Sequence, residues 1–329
     1  MIKVTILAMH NAASSTILGP MDVFDSAGVL WNYTCGLQIE PHFEVNIATL
    51  DGHPVKCLNR FILKPHCSIE DVKQTDIILV SSILDIEKVL KYEGKAIQWL
   101  KDQYEKGAAL ASACTGAYVL AETGLLDGKT ATTHWGYLEE FRQRYPKITL
   151  KPERLITDEG DLYCSGASNA CLDLAVYLVE KYCGHETAVK CAKGLLIDPD
   201  RFSQKPYGSI LGFQKNHSDK IVLKSQQWLE EHYFEKLDIS QLASNLNISR
   251  RTLERRFKKA TGDTPLVYLQ RIRIETAKNM LELNSKTFDE ITYEAGYENT
   301  SFFRKLFKKH TDLTPKEYRR KFRPRREIS

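Results

Sequence analysis

Residues Ile239–Arg271 read ISQLASNLNISRRTLERRFKKATGDTPLVYLQR, and residues Phe288–Arg320 read FDEITYEAGYENTSFFRKLFKKHTDLTPKEYRR. The second stretch repeats the first. Shifted by about 50 residues, Leu253 falls on Phe303, Phe257 on Phe307 and Lys258-Lys259 on Lys308-Lys309. Thr261, Thr264, Pro265 and Tyr268 fall on Thr311, Thr314, Pro315 and Tyr318. The early part aligns once an extra residue is allowed in the second copy. A repeat of this kind is one supersecondary unit used twice. Each copy has the outline short helix, tight turn, basic helix, which is that of a helix-turn-helix DNA reader.

In the first copy, Asp238 is placed to cap a helix carrying Ile239, Leu242, Ala243 and Leu246 on one face. Asn247 tolerates the left-handed backbone that a sharp stop needs. Ser249 then caps a second helix, about Arg250 to Ala260, with Leu253, Phe257 and Ala260 inward. Its outward face carries Arg250, Arg251, Glu254, Arg255 and Lys258, with Lys259 expected near phosphates. In the second copy Gly296 takes the turn and Asn299 or Thr300 starts the helix. Phe302, Phe303, Leu306 and Phe307 are expected inward, and Thr300, Ser301, Arg304, Lys305 and Lys308 outward. Pro265 to Leu283 reads as one long amphipathic helix between the copies.

Charged runs on single helices are usually only solvated faces. Here the same basic helix recurs after the same turn, and the charge is unevenly spread. Residues 217–329 hold 24 Lys and Arg against 16 Asp and Glu, a net of +8. The rest of the chain holds 22 against 26, a net of −4, so the overall +4 conceals a basic C-terminal third. That asymmetry is the electrostatic footprint of a nucleic-acid-binding domain.

The C-terminal part resembles the AraC/XylS family of bacterial transcription regulators. AGYENTSFFRKLFKKHTDLTPKEYRR is close to that family's motif, and RIRIETAKNMLEL resembles its connecting helix. The resemblance covers roughly 100 residues. It implies double-stranded DNA as partner, with two helix-turn-helix units entering successive major grooves, and RNA polymerase as a further partner if the protein is an activator. The base-reading positions it implies are Arg251, Glu254 and Arg255, then Thr300, Ser301, Arg304 and Lys305. Arginine grips guanine bidentately, and glutamate accepts from the cytosine amine.

At 329 residues the chain is long enough for about two domains. All 8 cysteines lie before residue 192, none in a C-x-x-C pair, and their spacing suggests no zinc site. MIKVTILAM reads as a strand and not as a signal peptide, because its apolar run is short and no small-residue cleavage site follows. No segment approaches the ~20 apolar residues of a membrane span. The expectation is a cytoplasmic protein with reduced thiols, no metal and no cofactor.

Residues 1–200 alternate strand and helix patterns. Ile2–Ala8, Phe43–Thr49, Asp76–Val80 and Ala108–Ala113 are short apolar runs of the buried parallel-strand type. Helical patterns occupy Ile17–Ala27, Asp85–Lys106, Gly116–Glu122, Tyr137–Arg144 and Ala170–Tyr182. The fold class this predicts is a doubly wound, flavodoxin-like α/β domain followed by an all-α domain with two helix-turn-helix units. Ligands in such sheets bind beyond the strands' carboxyl ends, here His10–Thr16, Ser81–Leu84 and Cys114–Gly116.

Cys114 follows a strand pattern directly and precedes Thr115-Gly116-Ala117, which opens a helix. Such an elbow exposes a nucleophile near a helix N-terminus, a setting that lowers a thiol pKa. His134 is a candidate base. A buried cysteine beside a packed histidine is the plainer alternative on the bare residues. ASACTGAYVLAETGLLDGKTATTHW, however, resembles the class I glutamine amidotransferase-like superfamily in its PfpI-like branch, whose cysteine and histidine match Cys114 and His134. Two departures oppose catalysis. The glutamate of enzymatic and redox members falls on Thr16, with Ser15 beside it, and the oxyanion-hole glycine pair falls on Ser81-Ser82, whose amides could still donate. The expectation is therefore a degenerate elbow, with no catalytic residues and a ligand pocket formed by Thr16, Ser81, Ser82, Cys114, Thr115, His134 and Trp135.

The fusion of both parts resembles the GlxA-type transcription regulators. It implies a sensor and dimerisation domain over 1–200, a linker over 201–217, a DNA-binding domain over 218–322 and a basic tail over 323–329. Pro199, Pro206, Gly208 and Gly212 interrupt the helical pattern at the junction. A homodimer and a small effector are implied, and some members of the group answer to nitrogen-containing metabolites. The rivals are a thiol hydrolase or glyoxalase-like enzyme that also binds DNA, and a cysteine redox sensor.

Overall fold

The computed structural model describes residues 1–92, 94–198, 201–208, 213–215 and 217–324. The chain divides into two compact units, residues 1–204 and 205–329.

In chain order the first unit contains β1 (Ile2–Leu7), α1 (Ser15–Ser26), α2 (Leu30–Thr34), β2 (Phe43–Thr49), β3 (Val55–Lys56), β4 (Ile62–Leu63) and β5 (Cys67–Ser68). There follow β6 (Ile77–Val80), α3 (Ile86–Tyr92), α4 (Gly94–Glu105), β7 (Ala109–Ala113), α5 (Ala117–Glu122) and β8 (Thr130–Ala131). The unit closes with α6 (Leu138–Arg144), β9 (Thr149–Leu150), β10 (Ile156–Asp158), β11 (Leu162–Ser165), α7 (Ala170–Cys183) and α8 (His185–Leu195). Seven strands form one sheet in the order β10-β11-β7-β6-β1-β2-β5, parallel except where β10 meets β11.

The all-buried strands β6 (IILV) and β7 (ALASA) show why this sheet is covered on both faces. Successive side chains alternate between two cores. Val4, Ile6, Ile77, Leu79 and Ala111 join Ile17, Phe24, Leu174 and Leu178 of α1 and α7. Leu7, Ile78, Val80 and Leu110 join Leu100, Tyr118 and Leu120 of α4 and α5. The strand order reverses between β6 and β1, which opens a crevice beyond their carboxyl ends. The helix expected over Asp85–Lys106 is described as two, α3 and α4. The strands β10 and β11 and the helix α8 were not read from the sequence.

The second unit contains α9 (Lys220–Glu231), α10 (Ile239–Asn245), α11 (Arg250–Thr261), α12 (Pro265–Leu283), α13 (Phe288–Glu294), α14 (Thr300–Thr311) and α15 (Pro315–Phe322). Its repeat is physical as well as textual. Thr261 and Thr311 each donate to the carbonyl four residues back, on Phe257 and Phe307, at 2.8 Å. Tyr268 and Tyr318 each donate to a buttressing carboxylate, Glu230 and Glu282, at 2.6 Å. Gly262 and Asp312 both turn left-handed, and Thr264 and Thr314 cap the helices that follow. The first half of α12 (Tyr268, Leu269, Ile272) packs in one core with Leu253 and Phe257, and the second half (Ile274, Ala277, Leu281) in another with Phe303 and Phe307. Thus α9 supports the first copy as the end of α12 supports the second.

The stretch expected as a linker, 201–217, is divided between the units. Gln204 is buried in the first, donating to the Thr133 carbonyl at 3.0 Å. In the second, Lys205 pairs with Asp312 at 2.8 Å, Lys278 donates to the Gly208 carbonyl at 2.7 Å, and Gln214 donates to Asp263 at 2.5 Å. Of these, the Lys278 bond gives a backbone carbonyl of the segment the partner that a chain packed against helices requires. Pro199 and Gly212, and residues 325–329 of the expected tail, lie outside the described residues.

Candidate functional site

Two candidate surfaces follow from the fold, a cleft at the crevice of the first unit and the exposed helix faces of the second. In the first, β7 ends at Ala113 and the chain turns sharply into α5. Cys114 sits at the turn with φ 56°, a left-handed conformation uncommon outside glycine. The tightness of the turn explains Gly116: a Cβ there would stand 2.6 Å from the Ser81 carbonyl oxygen and 2.7 Å from that of Val80. The strand-to-helix elbow expected at Cys114 is present.

Its chemistry differs from that of an activated thiol. Cys114 is buried, and burial pushes its pKa up, opposed by hydrogen bonds from Ser168 and Thr115. The Ser168 hydroxyl donates to Sγ at 3.8 Å. The lowering expected from the helix N-terminus is thus outweighed by desolvation. Burial also lowers the His134 pKa, which favours the neutral ring. His134 Nδ1 accepts from the Gly136 amide at 3.0 Å. That pattern assigns the remaining proton to Nε2, so the ring offers the cleft a donor and not a base.

The positions expected for acid and oxyanion hole form a closed network instead. Thr16 Oγ1 donates to the Ala13 carbonyl at 2.7 Å and accepts from the Ser82 amide at 3.1 Å. The Ser82 hydroxyl lies 3.1 Å from Thr16 Oγ1 and accepts from the Ala13 amide at 3.1 Å. The Ser81 amide donates to the Leu7 carbonyl at 3.1 Å, and the Ile83 amide to Thr115 Oγ1 at 3.0 Å. Thr115 Oγ1 in turn donates to the Ile83 carbonyl. All three amides after β6 are therefore used inside the protein. This corrects the expectation that the serine amides could still donate to a substrate oxyanion.

A cleft of about 210 Å³ opens here, lined by Asn11, Leu58, Ser82, Cys114, His134, Tyr137 and Ser168, with Ala13, Ile83, Leu84 and Thr115. Of the seven expected pocket residues, Ser82, Cys114, Thr115 and His134 line it. Thr16 and Ser81 do not: both are fully buried, and the Ser81 hydroxyl accepts from the Met9 amide at 3.2 Å. Trp135 packs on the His134 ring, centroids 5.0 Å apart, and also does not line the cleft. The sequence reading missed Asn11, Tyr137 and Ser168. Asn11 stood within the segment expected beyond β1. Ser168 would have followed from reading Leu162–Ser165 as a strand and applying the same rule to the loop after it. Among the described lining residues there is no Asp, Glu, Lys or Arg, so the cleft offers neutral donors, acceptors and a thiol.

In the second unit Asp238 caps α10 at the Ser240 amide (2.8 Å) and Ser249 caps α11 at the Thr252 amide (3.2 Å). Asn247 (φ 55°) and Gly296 (φ 81°) make the two turns left-handed. On α11, Arg250, Arg251, Arg255 and Lys258 are exposed. Glu254 is half-buried and engaged by Arg250 at 2.8 Å, an i,i+4 ion pair. Arg256 is engaged within the unit: it grips Asp219, the cap of α9, through two bonds of 2.9 and 2.8 Å. On α14, Ser301, Arg304, Lys305 and Lys308 are exposed and Thr300 is half-buried. Phe302, expected inward, is 50% exposed. Tyr297 stacks on Phe303 with centroids 4.5 Å apart.

The model of the DJ-1/PfpI family matches residues 2–181, and a helix-turn-helix domain model matches residues 242–321. The transcriptional regulator CdhR of Pseudomonas aeruginosa is 26% identical over 274 residues, covering 83% of this chain and 81% of its own. The isonitrile hydratase of Pseudomonas putida is 28% identical over 187 residues, 57% of this chain and 75% of its own. A crystal structure of an AraC family transcriptional regulator from Pseudomonas putida superposes with a TM-score of 0.51 at 22% identity. It covers 59% of this chain and all of that one, and it shows the α/β fold. These matches bear out the resemblances read from both halves of the sequence.

Proposed function

This chain belongs to the DJ-1/PfpI family, with a helix-turn-helix domain following, and from that premise we propose that it is a sequence-specific DNA-binding transcription regulator whose α/β unit senses a small polar metabolite without turning it over. Two helix-turn-helix units, each with an exposed basic helix and joined by the single helix α12, carry the DNA reading. Arg251 and Arg255 suit guanine, and Lys305 and Arg304 serve the second groove. The regulators similar to this chain over most of its length support the same assignment.

The closed network at the elbow supports sensing over catalysis. The thiol is desolvated, His134 lacks a basic nitrogen toward the cleft, and the amides after β6 are spent. A volume near 210 Å³ suits a small molecule held by Asn11, His134, Tyr137 and Ser168. The resemblance to regulators that answer to nitrogen-containing metabolites supports that effector class. A homodimer gives such a protein a longer operator than one pair of units reads alone.

The test uses the purified full chain in two assays. Selection from random duplex DNA should enrich one motif, and candidate metabolites should shift affinity for it. Incubation with isonitriles, amides, esters and α-oxoaldehydes should give no turnover. Turnover that depends on Cys114 would favour an enzyme, the reading that the isonitrile hydratase relative keeps in view.

A further inference from the structure

The ring of Phe302 is the one large apolar side chain on α14 that the core does not take. It lies in the helix's first turn, at N3, where Asn299 Oδ1 accepts from its amide at 2.8 Å and fixes its backbone. Half of its surface is exposed. Tyr297 lies against one side of it, centroids 5.9 Å apart at 45°. Tyr297 is itself held by stacking on Phe303 at 4.5 Å and by the Arg273 guanidinium 4.8 Å from its ring. The direction of the ring is therefore set before any partner arrives. Phe302, Lys305 and Lys309 recur at i, i+3 and i+7, so the ring heads a stripe whose other two members are exposed cations.

A lone exposed aromatic on a protein surface requires no explanation. This one lies in the first turn of the helix that the helix-turn-helix geometry sends into the major groove, where the N-terminal residues meet base edges. The first copy differs at the same place. Thr252 stands there, half-buried, with its hydroxyl 2.9 Å from the Ser249 cap. The two units thus present different chemistry at one position of a shared frame.

We propose that Phe302 is a specificity-determining residue that reads a thymine through its 5-methyl group. The thymine methyl is the apolar feature of the major groove, and a phenyl ring is among the side chains that contact it. Lys309, on the same stripe, holds the flanking backbone, and Lys305 reaches the neighbouring base edge. This inference rests on the DNA-reading function proposed above.

The test begins with duplexes enriched from a random library by the full chain. Each thymine of the selected site is replaced singly by deoxyuridine, which removes the methyl and leaves the pairing edge intact. At one position, wild type should lose affinity about fourfold, the worth of one buried methyl group. Phe302→Ala should bind the thymine and uracil forms equally there and keep the wild-type ratio at every other thymine. Phe302→Ser, which offers no methyl or ring, should behave likewise, and unchanged melting would show that both variants fold. If Phe302→Ala kept the wild-type thymine-to-uracil ratio at all positions, the proposal would be wrong. Should Arg255→Ala still relax preference at a base pair in that case, the DNA-reading function would stand without it. A changed transcriptional output with unchanged ratios would assign the ring to a protein partner and also overturn the proposal. Failure of the library to enrich any motif would remove the regulator reading and this inference together.

Discussion

Cys114 shows how far single residues carry the reading. Its elbow was legible in ASACTG, because strand, turn and helix are neighbours in sequence, and the resemblance through THW brought His134, which lines the same cleft, into view. The loss of an acid at Thr16 was also legible. The mutual satisfaction of Thr16, Ser82 and Ala13, and of Thr115 with Ile83, was not, because those bonds join segments 32 to 69 residues apart. The consequence is chemical. With the thiol pKa raised by burial, alkylation of Cys114 by iodoacetamide should be slow at pH 7 and accelerate only above the ordinary thiol pKa of about 8.5. Cys114→Ser should leave operator affinity without effector at the wild-type value. Fast labelling at pH 6–7 would show a thiolate and contradict the closed elbow. His310 is a second residue whose protonation the fold sets. Burial, then Arg271, Lys309 and Lys205, lower its pKa to about 4, against an opposing contribution from Asp263. A histidine kept neutral when folded binds its proton more readily unfolded. Its stabilisation is complete above the ordinary pKa near 6.5 and is lost as pH falls toward 4. The urea midpoint should drop between pH 7 and pH 5, and His310→Gln should flatten that drop. A wild-type midpoint that ignores pH in this window would refute the assignment.

Among the elements, α12 was the most legible and proves the most consequential. Its span was read correctly as Pro265–Leu283, and the structure adds the Thr264 cap at its start. Its role as a shared wall was only partly legible, since the sequence does not say which half meets which copy. Arg273 was not legible at all. A charged residue in an amphipathic helix reads as solvent-facing, yet this one is only 8% exposed. It donates to the carbonyls of Tyr233 at 2.7 Å and Glu235 at 2.8 Å, beyond the end of α9, and covers the Tyr297 ring. Gly296 makes room for it: a Cβ there would lie 3.0 Å from the guanidinium and 2.8 Å from the Phe234 carbonyl oxygen. Arg273 therefore joins the segment before the first copy to the turn of the second. Arg273→Ala leaves those carbonyls without their donors and should lower stability by about 1–3 kcal/mol. It should also weaken binding to sites that need both grooves more than binding to either half alone. Denaturation and half-site titrations would measure the two effects, and equal losses on full and half sites would sink the bracing role. The short strand β10 escaped the sequence reading because a run of 3 residues gives periodicity too little length to stand out.

For the whole molecule, the charge asymmetry and the repeat made the two-part organisation legible, and the match to two separate family models agrees with it. The junction was harder to read. Pro and Gly usually mark loose connections, and Pro206 and Gly208 suggested one. In the structure Pro206 is buried within a short 3₁₀ turn, and its neighbours are bonded to helices throughout the second unit. Lys205 meets Asp312 after α14, Tyr207 packs on Phe322 with centroids 5.4 Å apart, and Lys278 reaches the Gly208 carbonyl. Gln214 bonds Asp263 after α11, and the Gln226 amide donates to the Gln214 carbonyl at 2.8 Å. Asp263 and Asp312 follow α11 and α14 at nearly the same place in the two copies, so this segment ties both copies at corresponding points. A fragment of residues 218–324 leaves the Lys278 ammonium, Asp263 and Gln226 without these partners, and buried groups deprived of partners are costly. A fragment of residues 205–324 keeps them. The longer fragment should unfold at a higher urea concentration, by about 1–3 kcal/mol after allowance for the entropy of ordering the added residues. Lys278→Met should narrow the difference, because it removes the donor to Gly208 from the longer fragment, while in the shorter one Lys278 has only its Glu275 pair at 3.0 Å to lose. Identical midpoints for the two fragments would show that the segment contributes nothing to the DNA-binding unit and restore the loose linker that the sequence suggested.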